Sequence, residues 1–451
     1  MLASEKLKHQ LIKTHVRRFP YTMNFIIRLY HWLREKTDQF LLQLCREDKL
    51  WLALPLSSLA RKFFLREFSI KQINYRNLEE LKQLVTKATN EDVAKSLENH
   101  KNAYIPPGLK VLMIFSKYIN NSKDCIECNF ENTWTITAKD TGLNVDTFYA
   151  DKISYLPSDA SNLEVMKQEG RKLLSKVNDF QPQLIFLDTN YLGNQNTINC
   201  DLIQEIRKIH SCKIAGYMGD YYSKEAFRIA EYWSKSLDIV MHSEPSSSTK
   251  NLKNFHFIDQ FKNEKMFYPA SEKQIDITFS GSGNISRYVY LAFAKSHAQK
   301  KGYSSEIQMH NNSINSALSP EEYSLQIRES RAVLNLTARS APGVRVVTGR
   351  VTEAIASKSL LIEEKNEAIT NTFTPYAHFI PFDSKKELAI AIDFSVNCGE
   401  LVDKITEAAY EEYWREHNSK RGWSQILRLC NFSLLRRSDS PRSEASREIL
   451  T

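Results

Sequence analysis

The chain has 451 residues, 42% hydrophobic and 25% charged, with a formal net charge of +8; this suits a globular protein of two or three domains and excludes a low-complexity chain. Seven cysteines, odd in number and scattered, exclude a disulfide framework and point to a reducing cytoplasm. No apolar run reaches the length of a membrane span, and the opening M-L-A-S-E-K-L-K has no signal-peptide core.

Residues 1–104 hold 19 Lys or Arg against 11 Asp or Glu, which accounts for the whole net charge. Phe25, Ile26, Leu29, Trp32 and Leu33 recur at helical spacing, as do Phe40, Leu41, Leu44 and Leu50, with Arg17, Arg18, Arg28 and Arg34 beside them. Trp51 to Phe68 repeats the mixture with Arg61, Lys62 and Arg66. Two readings stand: a basic segment lying on an anionic membrane surface, or an added helical domain whose basic face is solvated. No nucleic-acid motif accompanies the charge, so nucleic acid is not an expected partner. Pro106-Pro107-Gly108 marks the boundary.

A βα pattern follows. Lys110–Ser116, Val145–Tyr149, Leu184–Leu187, Lys213–Tyr217 and Asp238–Met241 read as short buried strands, with helical stretches such as Leu202–Ile209 between them. That alternation predicts a parallel, doubly wound sheet covered on both faces. Ligands bind such sheets at the carboxyl ends of strands, which singles out Asp188, Asp220 and His242 for chemistry. Each also suits a turn or a helix cap, the ordinary use of Asp at a strand end. Cys125 and Cys128 form the only C-x-x-C; with no second pair and no histidines at metal spacing, no metal site is expected.

A second set of strands opens at Asp276-Ile277-Thr278-Phe279, which runs into a small-residue loop, Ser280-Gly281-Ser282-Gly283-Asn284, and then a helix opened by Arg287. A strand, a loop of small residues and a helix start can admit a phosphate against backbone N–H groups, although G-S-G is not the full dinucleotide fingerprint. Ala332–Leu336 is a further strand, ending near Asn335. Then comes R-V-V-T-G-R-V-T-E-A-I-A-S-K-S-L-L-I-E-E, from Arg345 to Glu364: a short helix over Val351–Ser357 and a buried strand over Ser359–Ile362. Arg350 and Glu353 lie three apart and so share one helix face, either as a clamp for a nucleotide diphosphate and its ribose or as an ordinary surface ion pair. Helices over Lys386–Ile392, Leu401–Glu416 and Ser424–Leu429 precede a polar tail rich in Ser, with one Pro. The resulting domains are 1–104 (basic helical segment), 105–262 and 263–400 (Rossmann-like), 401–430 (helices) and 431–451 (disordered tail).

Two consecutive doubly wound domains, each with a phosphate-sized loop, resemble the two-domain GT-B glycosyltransferase architecture. D-I-T-F-S-G-S followed by Arg287 resembles the start of the donor-binding domain in spore-maturation-protein type (CgeB-like) glycosyltransferases. R-V-T-E-A-I-A-S-K-S-L-L-I is similar to that family's Arg-x-x-Glu-Ala motif, and Ile258–Pro269 looks like its interdomain segment. The resemblance spans about Lys110 to Leu429. It implies a donor domain in which Arg350 meets the diphosphate and Glu353 the ribose or sugar hydroxyls. Gly281 and Ser282 would line the phosphate loop, with Arg287 and Asn335 in the same pocket.

Two departures stand out. Arg345 occupies the position eight before Glu353, so the retaining Glu-x7-Glu pattern is absent and inversion is favoured. Lys358 stands where the family usually has Gly, which implies either a left-handed lysine or an altered turn. The implied activity is metal-independent hexosyl transfer from a nucleotide-diphosphate sugar, with no cofactor, to a polysaccharide, lipid-linked or protein acceptor. Arg345 and Arg350 would stabilise the leaving diphosphate, and Asp220, then His242, would serve as the base. A nucleotide-sugar epimerase on the same fold and a non-catalytic nucleotide-sugar-binding scaffold are the alternatives. A cytoplasmic place is expected, with the inner membrane face open to the basic segment.

Overall fold

The computed structural model describes residues 74–95, 103–118, 125, 127, 130–153, 160–195, 197–219, 224–243, 252, 254–258, 260–282, 285–310, 317–336 and 347–432. The helices expected before residue 74 and the tail beyond residue 432 lie outside the described residues. Among those described, no helix is long and apolar enough to cross a membrane.

The first described helix, α1 (Leu78–Lys95), is followed by a six-stranded sheet. Its strands are β1 (Lys110–Phe115), β2 (Asn144–Tyr149), β3 (Leu184–Asp188), β4 (Lys213–Met218), β5 (Ile239–His242) and β6 (Phe255–Phe257), all parallel, in the order β2-β1-β3-β4-β5-β6. β1, β3 and β4 are apolar on both sides because both faces are covered. On one face Ile114, Ile185, Leu187 and Val240 pack with Leu173, Ile203 and Trp233. These three come from α3 (Ala160–Phe180), α4 (Cys200–Ile209) and α5 (Lys224–Ser234). On the other, Val111, Met113, Phe186 and Met241 meet Ala138 of α2 (Ile136–Asp140) and Trp134 just before it.

The second sheet holds β7 (Ile275–Ser282), β8 (Ser305–His310), β9 (Ser330–Asn335), β10 (Leu360–Glu364) and β11 (Ile380–Phe382), again all parallel, in the order β11-β10-β9-β7-β8. Around it lie α6 (Ile285–Lys301), α7 (Pro320–Arg328), α8 (Arg350–Ala356), α9 (Lys385–Asn397) and α10 (Gly399–Glu412). A capping box between Ser319 and Glu322 starts α7. The small residues expected to leave the strand after Phe279 stay in the ladder, paired with β8 as far as Ser282 opposite His310. Pro381 lies in β11 at the sheet's edge, where a missing N–H costs nothing to a neighbour.

Two elements cross over. The chain beyond α10 runs through one wide turn, Tyr413–His417, into α11 (Ser419–Leu429), which returns to the first sheet and sets Trp423 against Trp134 and Phe186. Conversely, α1 joins the core of the second sheet: Leu81 and Val85 pack with Ile277, Leu291 and Leu388. The Tyr75 hydroxyl donates to the carbonyls of Pro381 and Glu387, each at 3.1 Å, and the Asn74 N–H donates to Glu387 Oε1 at 2.6 Å.

Candidate functional site

In the second sheet β7 is flanked by β8 and β9, so the connections leave it in opposite directions and a crevice opens at the carboxyl ends of β7 and β9. Arg350, in the first turn of α8, reaches into it and is 9% exposed. Its guanidinium lies 4.4 Å over the Phe279 ring; Nη1 donates to Asn335 Oδ1 at 3.0 Å and Nη2 to the Ser280 carbonyl. Asn335 in turn accepts from Thr348 Oγ1 at 3.0 Å and donates to the buried Glu363 at 2.6 Å. A Cβ at Gly281 would come within 2.6 Å of Arg350 Nη2, so glycine is what lets the guanidinium lie on the strand. The Arg350 Nε is buried and has no hydrogen-bond partner among the described residues.

Arg287 closes the side of the crevice. It donates to the Leu336 carbonyl at 2.9 Å and to the carbonyl and hydroxyl of Ser282 at 2.7 and 3.0 Å, tying the ends of β7 and β9 together.

Glu353, one turn beyond Arg350, is 3% exposed. Lys262 Nζ lies 3.0 Å from its Oε1, and the Tyr323 hydroxyl donates to Oε2 at 2.6 Å. Burial works against the charge, but Lys262, Tyr323 and Arg350 outweigh it and hold the carboxyl below the usual glutamate range. Burial, with Glu353 beside it, pushes the Tyr323 phenol far up and keeps it a donor. A Cβ at Gly349 would overlap the Lys262 ammonium.

The first sheet meets this crevice through Gln260. Its Nε2 donates to Ser243 Oγ at 2.8 Å and to the Val347 carbonyl at 3.1 Å, while the Tyr217 hydroxyl donates to the same Ser243 oxygen at 3.2 Å. The carboxyl ends of β4 and β5 are thereby linked to the loop that leads into α8.

Residues 260–428 match the family model described as glycosyl transferase-like. No curated protein matches the sequence. Among solved structures the chain is similar to sucrose-phosphate synthase from Thermosynechococcus elongatus, at 11% identity and a TM-score of 0.50, covering 72% of this chain and 100% of that one. It is also similar to an alpha-glucosyltransferase solved with UDP and a mismatched DNA 13-mer, at 13% identity and a TM-score of 0.52, covering 71% of this chain and 99% of that one. The fold is GT-B. Six of the described candidates gather at the carboxyl ends of β7 and β9 and the start of α8: Gly281, Ser282, Arg287, Asn335, Arg350 and Glu353.

Arg345 and Asp220 lie outside the described residues, as do Gly283, Asn284 and Cys128. Asp188 ends β3, but its Oδ1 accepts from the N–H and side-chain amide of Asn190 at 3.1 and 2.7 Å, which shapes the turn after the strand. His242 ends β5 at 2% exposure, stacked 4.3 Å from the Phe255 ring in the core.

The first of the two alternatives expected for the helix-to-strand turn holds: Lys358 takes φ +49°, the left-handed region where glycine is usual. Lys262, Tyr323, Gln260 and Glu363 were not singled out from the sequence. Gln260 and Lys262 fall in the expected interdomain segment without a role of their own there, and Glu363 carries a signal as a carboxylate at the end of a strand otherwise built for burial.

Proposed function

We propose that the chain transfers a sugar from a nucleotide-diphosphate sugar to an acceptor bound between the two sheets, as a glycosyltransferase of the spore-maturation-protein type. The observation that carries this reading is Arg350: a buried cation on the glycine-lined wall of the crevice, with an Nε–H that no group among the described residues accepts. An entering diphosphate would satisfy it. The GT-B fold, the glycosyl transferase-like match and the UDP bound by the similar glucosyltransferase support the same ligand class. Breaking the glycosidic bond leaves charge on the diphosphate, and preorganised cations stabilise that charge where it develops. Arg350, with Arg345, supplies this in our reading, so transfer should continue in EDTA.

The base comes from the first domain. Asp188 and His242 are committed to a turn and to the core, which leaves Asp220, just past β4, as the candidate we favour. Asp220→Asn should retain donor binding and lose release of nucleoside diphosphate in the presence of acceptor; normal turnover would remove Asp220 from the mechanism. The basic segment 1–104 supports an acceptor at an anionic surface, which co-sedimentation of the full chain with phosphatidylglycerol vesicles tests; no binding would reject it.

A second reading has one observation behind it. Both oxygens of Glu353 and two nitrogens of Arg350 are already held by protein groups, which suits a nucleotide-sugar-binding protein without transfer. A donor that binds but is never consumed would select that reading.

A further inference from the structure

The segment between β6 and β7 carries the chain from the first sheet to the second, and the stretch from Tyr413 to Ser419 carries it back. The two crossings are tied to each other. The Lys262 N–H donates to the Tyr413 hydroxyl at 3.3 Å, and that hydroxyl donates to Glu264 Oε1 at 3.1 Å. The same Glu264 accepts from the N–H and hydroxyl of Ser419, at 2.6 and 2.8 Å, at the start of α11. Tyr413 is fully buried, and burial, with Glu264 second, holds its phenol protonated. From this junction the Lys262 side chain, 7% exposed, turns to the second sheet and ends at Glu353.

We infer that Lys262 is a positioning residue through which the paired interdomain crossings set the charge and orientation of Glu353 in the donor site. The inference rests on the donor reading above. Among the described residues three groups face the Glu353 carboxylate: Lys262 from the crossing, Tyr323 from α7 and Arg350 from its own helix. Each carboxylate oxygen can accept a second hydrogen bond beside the one it has, so the hydroxyls of a ribose or sugar could join without displacing Lys262. Removing Lys262 leaves a buried carboxylate with too little compensation, which either takes up a proton or turns away. A shift of the crossings that moved Lys262 would do the same by a smaller amount, so donor affinity and domain arrangement are linked.

The test is calorimetric titration of nucleoside diphosphates and nucleotide sugars into the full chain, from pH 5 to 8, with circular dichroism confirming the fold of each variant. Lys262→Met should weaken donor binding by about tenfold or more, with the acid loss of affinity moved to higher pH, because the uncompensated carboxylate protonates sooner. Lys262→Arg keeps the charge and should restore most of the affinity. Tyr413→Phe should shift binding in the same direction by less, and Lys262→Met should add little to Glu353→Gln, since both act through one group. If Lys262→Met does not fold, the pH profiles of Lys262→Arg and Tyr413→Phe decide: unchanged affinity and profile in Tyr413→Phe would overturn the inference. A parent chain that binds while Lys262→Met binds equally well, with the same pH profile, overturns this inference alone. A parent that binds no nucleotide overturns the donor reading and the inference with it.

Discussion

Gly281 shows how one missing methyl shapes the site. Because a Cβ there would lie 2.6 Å from Arg350 Nη2, Gly281→Ala should push the guanidinium off the strand and break its bonds to Ser280 and Asn335. We expect a stability loss of about 1–3 kcal/mol from overpacking, read by thermal unfolding, together with weakened nucleotide binding. His378 makes a second prediction. The Thr374 N–H donates to its Nδ1 at 3.1 Å, so Nε2 carries the proton toward Asp92, 2.9 Å away. Burial lowers its pKa and Asp92 opposes, with Arg415 and His417 lowering it further. The folded chain therefore resists a proton that the unfolded chain accepts. This contribution is full above the ordinary histidine value and declines as pH falls below it, by up to about 1.4 kcal/mol per pH unit. Urea midpoints between pH 7 and pH 5 should fall more steeply for the parent than for His378→Gln.

Helix α11 depends on a glycine as well. A Cβ at Gly422 would overlap the Phe261 ring, which sits between α11 and Trp134. Gly422→Ala should cost about 1–3 kcal/mol in chemical denaturation despite the better helix propensity of alanine, and an increase in stability would show that this packing is not tight. The elements legible in the sequence are those whose residues state their surroundings. β1, β3 and β4 are unbroken apolar runs because both faces are covered, and the crevice follows from the order of such strands. β6 and β11 were not legible: each has three residues, and β11 contains a proline that only an edge position admits. β8 alternates around Ile307 and Met309 at the sheet's edge and leaves no buried run to find. The i,i+3 spacing of Arg350 and Glu353 placed them on one face. Their partners could not be read that way, because Lys262, Tyr323 and Asn335 come from other elements and meet them only through the tertiary fold.

At the scale of the molecule the two halves are bound by exchange: α11 covers the first sheet from beyond the second, and α1 covers the second from before the first. The crossings lie beside the crevice, and Gln260 and Lys262 reach from one of them to the stretch that opens α8. A ligand in the crevice would therefore touch a structure already joined to both sheets. The central claim, that a nucleotide diphosphate binds there on Arg350, is tested most directly by thermal unfolding of the parent and of Arg350→Lys with a panel of nucleoside diphosphates and nucleotide sugars. One nucleotide at about a hundred times its dissociation constant should stabilise the parent by roughly 2.7 kcal/mol, and Arg350→Lys, which keeps the charge but loses the planar fork, should gain clearly less. If no nucleotide moves the unfolding of the parent, or if Arg350→Lys responds as fully as the parent, the crevice is not the donor site described.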